Sequence, residues 1–227
     1  MQYSQEIYKA RYPKATIAEG AHVAETCRID EGCQISPEAD IGHYLATLRD
    51  VKVIGGVKID RNAVIREDTT LIGPLQIGEG VIVARGCRIG TNRPDEIPPN
   101  QPTIIEKNCL IGKGVEIIGG LHLGERVRVR AGSRVFGDVP SFAIVARSPA
   151  ILERFACPAC GGGLYVKSGS EAVTKMACTS CRSEGYRFDT KLMTRKQCRG
   201  LLPNDSEGEQ ISTLGDDPAW RDVYEMA

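Results

Sequence analysis

The 227-residue chain is 41% hydrophobic and 26% charged with a formal net charge of zero, so no global field draws it to nucleic acid or an anionic membrane. No run approaches the ~18 apolar residues of a membrane span, and the opening MQYSQEIYKARYPKA lacks the apolar stretch of a secretory signal, so a cytoplasmic location is expected. Glycine is abundant at 25 residues and aromatics make up only 5%, which suits many tight turns around an aliphatic core.

Residues 1–14 read as an N-terminal cap. From Ile17 an apolar residue returns every sixth position: Val23, Ile29, Ile35, Ile41, then Thr47, then Val53, Ile59, Ile65, Leu71, Ile77, Val83 and Ile89. Only Thr47 breaks the aliphatic series. A period of six over this length fits neither the 3.6 of an α-helix nor a plain two-residue alternation. It fits a solenoid in which each hexapeptide is a short strand plus a turn and three strands complete a coil. The residue on the beat is expected to point inward and to stack at ~4.8 Å on its counterparts. The second inward position, four residues on, should be small. It holds Ala21, Cys27, Cys33, Ala39, Ala63, Thr69, Val81, Cys87, Cys109 and Ser133. The four cysteines in this set therefore read as small buried apolar residues rather than reactive thiols. Cys198 has no assignment.

The stretch GTNRPDEIPPNQPTII, Gly90 to Ile105, interrupts the beat with ten extra residues. Four prolines, Pro94, Pro98, Pro99 and Pro102, stiffen it. A long excursion from a rigid scaffold is a usual carrier of function. The beat then resumes through Ile111, Ile117, Leu123, Val129 and Val135. Counting three beats per coil stacks Leu71, Ile89 and Ile117, which puts the exit of the excursion under the corner Gly119–His122. His122 is then expected to face outward near the base of the excursion, with Gln76 in the equivalent place one coil below. Asn92 and His122 become predicted neighbours.

The repeat ends in RAGSRVFGDVPSFAIVARSPA, Arg130 to Ala150. Over roughly residues 15–154 the sequence resembles the hexapeptide-repeat acyltransferases. Its AGS, DVP and GNPA-like elements are similar to that family's closing signature. The resemblance implies an all-β fold, a left-handed parallel β-helix, with homotrimers as self-partners and acetyl-CoA as co-substrate in the groove between adjacent helices. It carries Gly132 and Ser133 over as pantetheine-lining positions. Arg134 and Arg147 are candidate partners of the coenzyme phosphates on grounds of charge. The usual GNPA reads RSPA here, with Arg147 and Ser148 in place of Gly and Asn. O-acetylating members often carry a histidine in the loop; GTNRPDEIPPN has none. It is closer to the TND-containing loop of nucleotide-sugar N-acetyltransferases, with Arg93 in place of Asp.

That resemblance implies a CoA-dependent acyltransferase acting on an amino group of a small-molecule acceptor, a nucleotide-linked sugar. Asn92 would hold the amine, and Asp95 or His122 would take the surplus proton, unless the departing thiolate does. A non-catalytic trimeric scaffold is the alternative. The γ-type carbonic anhydrases share the implied fold, but they need three convergent histidines. His22, His43 and His122 fall on separated coils.

Beyond the repeat, Cys157, Cys160, Cys178 and Cys181 form C-x2-C-x17-C-x2-C. Two such knuckles can offer four thiolates to one tetrahedral Zn²⁺, a closed structural site. The segment 155–200 is read as a zinc ribbon and resembles the small ribbons found beside methyltransferases. From Cys157 to Gly200 eight basic residues face three acidic ones, whereas the tail 201–227 has seven acidic residues against Arg221. Trimer stabilisation, a lid over the groove and docking of a protein partner are the roles open to the ribbon; nucleic-acid reading is not expected, since few aromatics accompany its charge.

Overall fold

The computed structural model describes residues 5–91, 101–148, 150–157, 159–169, 173–183 and 186–189. The repeat forms a parallel β-solenoid with three faces. Seven strands make the first sheet and six the second. Eleven make the third, seven of them solenoid rungs. Up to Arg134–Val135 each strand pairs in parallel with the third strand after it, and below the excursion the register climbs eighteen residues per coil: Ile17 on Ile35, Ile35 on Val53 and Val53 on Leu71; the last rung closes in sixteen, Val129 on Val145. The coil from Ile89 to Ile117 takes twenty-eight residues, and the register above and below it is unaltered.

Every residue on the beat from Ile17 to Val135 is buried, Thr47 included. The short strands show the alternation this requires, with an outward residue preceding an inward one, as in Thr16–Ile17 and Asp40–Ile41. Between strands the chain turns at a left-handed residue three places after the beat. Glycine fills it at Gly80 (φ +66°), and Asn108 takes the same conformation one coil up (φ +58°).

Among the described residues the second inward position is also buried except at Leu121, which is half-buried, and it is not restricted to small residues. Leu45 and Leu75 occupy it at 1% exposure. The expected narrowness is thus corrected: the prism interior takes large as well as small residues at this position. The cysteines at this position serve the backbone. Cys27, Cys33, Cys87 and Cys109 donate S–H to the carbonyls of Gly42, Leu48, Gly112 and Gly124, at 3.0, 3.1, 3.1 and 3.1 Å. Burial pushes Cys87 up to about 11 and Cys109 up to about 12. These thiols stay neutral and unreactive at physiological pH.

The lower end is closed by the helix Gln5–Arg11. Tyr8 and Tyr12 are buried there. The Tyr12 hydroxyl donates to Cys27 O at 2.8 Å, and the Val23 N–H donates to the Tyr8 hydroxyl at 3.1 Å. The upper end continues into the cysteine-rich segment. Strand Ala143–Ala146 is the last solenoid rung of the third sheet, and Ile151–Ala156 turns back antiparallel beside it. Gly163–Gly169, Val173–Cys178 and Tyr186–Asp189 follow, also antiparallel. Phe155, Leu164, Cys157 and Cys178 belong to the same buried cluster as the solenoid core. The expected division between solenoid and ribbon near residue 155 therefore falls inside one continuous sheet. No helix among the described residues is long and apolar enough to cross a membrane.

Candidate functional site

The foot of the excursion is built from glycine and threonine. Gly90 adopts φ +82°, and a Cβ there would lie 2.0 Å from the Ile72 carbonyl oxygen one coil below. Only glycine lets the chain leave the coil at this point. Gly119 covers it from above, where a Cβ would stand 3.4 Å from Gly90 O. On the return, Thr103 is fully buried; its N–H donates to Pro74 O at 2.9 Å, and its hydroxyl accepts the Gly120 N–H at 2.8 Å. The corner expected above the excursion is thus the corner that touches it.

His122 begins the strand that follows this corner. Its backbone N–H donates to Asp138 Oδ1 at 2.8 Å, which ties it to the DVP element. Its Nε2 lies 2.9 Å from Glu106 Oε1. With the ring N–H given to the carboxylate, Nδ1 keeps its lone pair and can accept a proton. The side chains are 42% and 39% exposed, so a ligand can reach both. Glu106 escaped the sequence reading. The detectable signal was register: Glu106 follows inward Ile105, and Ile104 pairs with His122, so Glu106 faces outward on the diagonal. The same pairing corrects the place given to Gln76. It stands two coils below His122, with Ile104 between, because the chain returning from the excursion fills the intervening rung with the strand Thr103–Ile105. Asn92 and Asp95 lie outside the described residues.

The other histidines are apart from this pair. His22 Nδ1 contacts Asp40 Oδ1 at 3.0 Å, and His43 Nδ1 contacts Thr26 Oγ1 at 3.0 Å. No histidine belongs to a potential metal cluster among the described residues.

The positions carried over for the coenzyme gather at the top of the solenoid. Gly132 is an exposed left-handed turn residue (φ +69°) with open space around its Cα. Ser133 is fully buried: its N–H donates to Arg130 O at 3.3 Å, its carbonyl accepts the Glu116 N–H at 2.9 Å, and its hydroxyl has no hydrogen-bond partner among the described residues. The Arg134 guanidinium is engaged by Glu116 at 2.6 Å and lies over the Phe136 ring at 5.2 Å. Arg147 is exposed at φ +83°, the conformation that glycine takes most readily, and its carbonyl accepts the Arg134 N–H at 3.1 Å.

The four knuckle cysteines form a second centre. Their Sγ atoms all lie within 4.8 Å of one another. Cys157 and Cys181 are 3.7 Å apart and Cys160 and Cys178 are 3.5 Å apart. Tetrahedral Zn²⁺ with Zn–S bonds of ~2.3 Å requires edges of about 3.8 Å. The amides of Gly162 and Ser180 donate to the sulfurs of Cys160 and Cys178 at 3.4 and 3.3 Å, which supports thiolates. A Cβ on Gly162 would lie 2.5 Å from Ser180 Oγ and 3.3 Å from Cys160 Sγ, so the two knuckles pack closely at this glycine. The donor set and spacing fit one zinc ion with no position left for substrate.

Residues 102–136 match the family described as the hexapeptide repeat of succinyl-transferase. No curated protein matches by sequence. Among solved structures, the chain resembles the acetyltransferase domain of PglB from Neisseria gonorrhoeae at 21% identity and TM-score 0.50, covering 56% of this chain and 57% of that one. It thus spans little more than half of that chain. AntD, an N-acyltransferase from Bacillus cereus, in complex with dTDP-4-amino-4,6-dideoxyglucose and coenzyme A, is 19% identical with TM-score 0.49, over 67% of this chain and 89% of that one. LpxA from Acinetobacter baumannii is 19% identical with TM-score 0.47, over 63% and 73%. The six-residue repeat, the three parallel faces and the matched segment identify the fold as that of a hexapeptide-repeat β-solenoid.

Proposed function

We propose that the protein transfers an acyl group from a CoA thioester to an amino group of a nucleotide-linked sugar. The observation that carries this reading is the His122–Glu106 pair at the foot of the excursion, 2.9 Å between Nε2 and Oε1 and open to solvent. The matched hexapeptide-repeat segment and the likeness in fold to an acetyltransferase domain support it.

A neutral amine is already a nucleophile, so the site must position it and later remove a proton. The amine nitrogen attacks the thioester carbonyl carbon. As the C–N bond forms and the C–S bond breaks, His122 Nδ1 takes the one surplus proton of the nitrogen and passes it on to the departing thiolate. Glu106 holds the ring in the tautomer that leaves Nδ1 free. Asn92 is assigned to hold the amine, and Asp95 is the second candidate acceptor of its proton. Gly132 would line the pantetheine, with Ser133 buried directly behind it. Arg147 is the stronger of the two phosphate candidates, because Arg134 is already paired with Glu116. Acetyl-CoA is the co-substrate, the working form is a homotrimer, and the location is the cytoplasm. Cys157, Cys160, Cys178 and Cys181 hold a structural zinc that fixes the hairpins above the last coil. The ribbon, as part of that sheet, is also the surface for a protein partner.

Calorimetric titration of acetyl-CoA into the full chain tests the reading. Saturable binding is expected, followed by an acetylated product on an amino-sugar nucleotide by mass spectrometry. Absence of binding at millimolar coenzyme would end it.

A further inference from the structure

The second sheet carries a repeating gap that bears on the acceptor. The residue after each beat on this face forms a column, one member per coil: Gly42, Asp60, Gly78, Glu106 and Gly124. Each backbone N–H in the column donates to the coil above, at 2.7, 2.8, 2.8, 2.9 and 2.9 Å. A Cβ on Gly42 would meet Ile59 O at 3.0 Å, and one on Gly78 would meet Lys107 N at 2.7 Å. The backbone above closes over these glycines. No side chain therefore rises between the carboxylates of Asp60 and Glu106, which are two rungs apart, roughly 10 Å at ~4.8 Å per rung.

That gap belongs to a groove of about 640 Å³, within the range of small-molecule sites. Gln76 stands along its side, exposed, with its amide in no hydrogen bond among the described residues. The lining carries five carboxylates, Asp40, Asp60, Glu79, Glu106 and Glu125, against Lys58 and Lys107. Four of these acids already have side-chain partners: Asp40 in His22, Glu79 in Arg61 at the rim, Glu125 in Lys107 and Glu106 in His122. The balance stays acidic, which repels phosphate and suits hydroxyl and ammonium donors. At its upper end the groove includes Glu106, whose Oε1 holds His122 while Oε2 remains for a ligand.

Resting on the acyl-transfer reading above, we propose that this groove seats the polyhydroxylated, amine-bearing ring of the acceptor over Gly78. Asp60 and Glu106 accept from the ring, Gln76 bonds along its edge, and the amine is held toward His122. The phosphates of the acceptor lie outside the groove. Asp60 and Gln76 are thus specificity residues for the sugar rather than for the nucleotide.

Titration calorimetry on the full chain, with dTDP-4-amino-4,6-dideoxyglucose and with dTDP as probes, tests this. The amino sugar is expected to bind at least tenfold tighter than dTDP. Asp60→Asn and Gln76→Ala should each weaken it about tenfold while leaving the Kd for acetyl-CoA unchanged. Asp60→Asn keeps an oxygen for the Arg61 N–H that Asp60 accepts at 2.7 Å, so the turn survives. Equal affinity for the two probes, no binding of the amino sugar, or unchanged affinity in both variants would overturn the proposal. Failure of acetyl-CoA to bind while the amino sugar binds as described would instead sink the transferase reading and leave the seat standing.

Discussion

Gly90→Ala probes the departure of the excursion from its coil. Two costs add at this position. A non-glycine residue in the left-handed region costs about 1–2 kcal/mol, and Gly90 sits at φ +82°. The added Cβ would also lie 2.0 Å from the Ile72 carbonyl oxygen, so two rungs of backbone must part. Overpacking of that kind costs about 1–3 kcal/mol. The sum is about 2–5 kcal/mol, or a fall in Tm of about 4–20 °C at the ~2–4 °C per kcal/mol of a chain this size. Gly86→Ala is the internal control: φ is +71°, but nothing lies within 4 Å of a Cβ there. It should lose only the conformational part, about 2–8 °C. Thermal unfolding followed by circular dichroism reads both. A Tm for Gly90→Ala at or above that of Gly86→Ala would refute the close approach on which the placement of the excursion depends.

Three further outcomes are expected. Elemental analysis should find one zinc per chain, and Cys160→Ser should lose it and lower Tm, because the fourth sulfur of the 4.8 Å cluster is gone. Cys87 and Cys109 have folded-state values raised to about 11 and about 12 from the ordinary 9.0. The unfolded chain therefore loses these protons first as pH rises, and stability should fall from about pH 9 upward, with neither thiol reacting with Ellman's reagent at pH 8 until the chain unfolds. Ile117→Ala, at a position with 0% exposure, should cost about 2–5 kcal/mol in denaturant unfolding without shifting the register of its neighbours.

Much of this molecule was legible because its period is rigid. Once Ile17 sets the beat, every inward position to Val135 follows, and so does the stacking of Leu71, Ile89 and Ile117 that brings His122 to the foot of the excursion. Counting along one column succeeds because the ladder bonds hold it in register. Diagonal neighbours are harder to see: Glu106 meets His122 across rungs and two places along from its register partner Ile104, a contact that needs side-chain reach as well as register. The misplacement of Gln76 came from passing over the rung on which the chain re-enters after the excursion: Thr103–Ile105 stands between Leu75–Ile77 and His122–Leu123. The union of the zinc segment with the third sheet was also hidden. It depends on antiparallel pairing with a bulge between Ile144 and Val145, and nothing in the six-residue pattern encodes that. Small residues at the second inward position were overstated for a related reason, since Leu45 is accommodated by the volumes of its neighbours and not by its own coil alone.

The central claim is that the His122–Glu106 pair removes the proton as an acyl group moves to an amine. It is tested most directly by steady-state transfer from acetyl-CoA to dTDP-4-amino-4,6-dideoxyglucose with the wild-type chain, His122→Ala and Glu106→Gln. The account predicts a fall in kcat of about 10²–10⁴-fold for His122→Ala and a smaller fall for Glu106→Gln, with unchanged Kd for acetyl-CoA and unchanged Tm. Full turnover in His122→Ala, or none in the wild type, would contradict it.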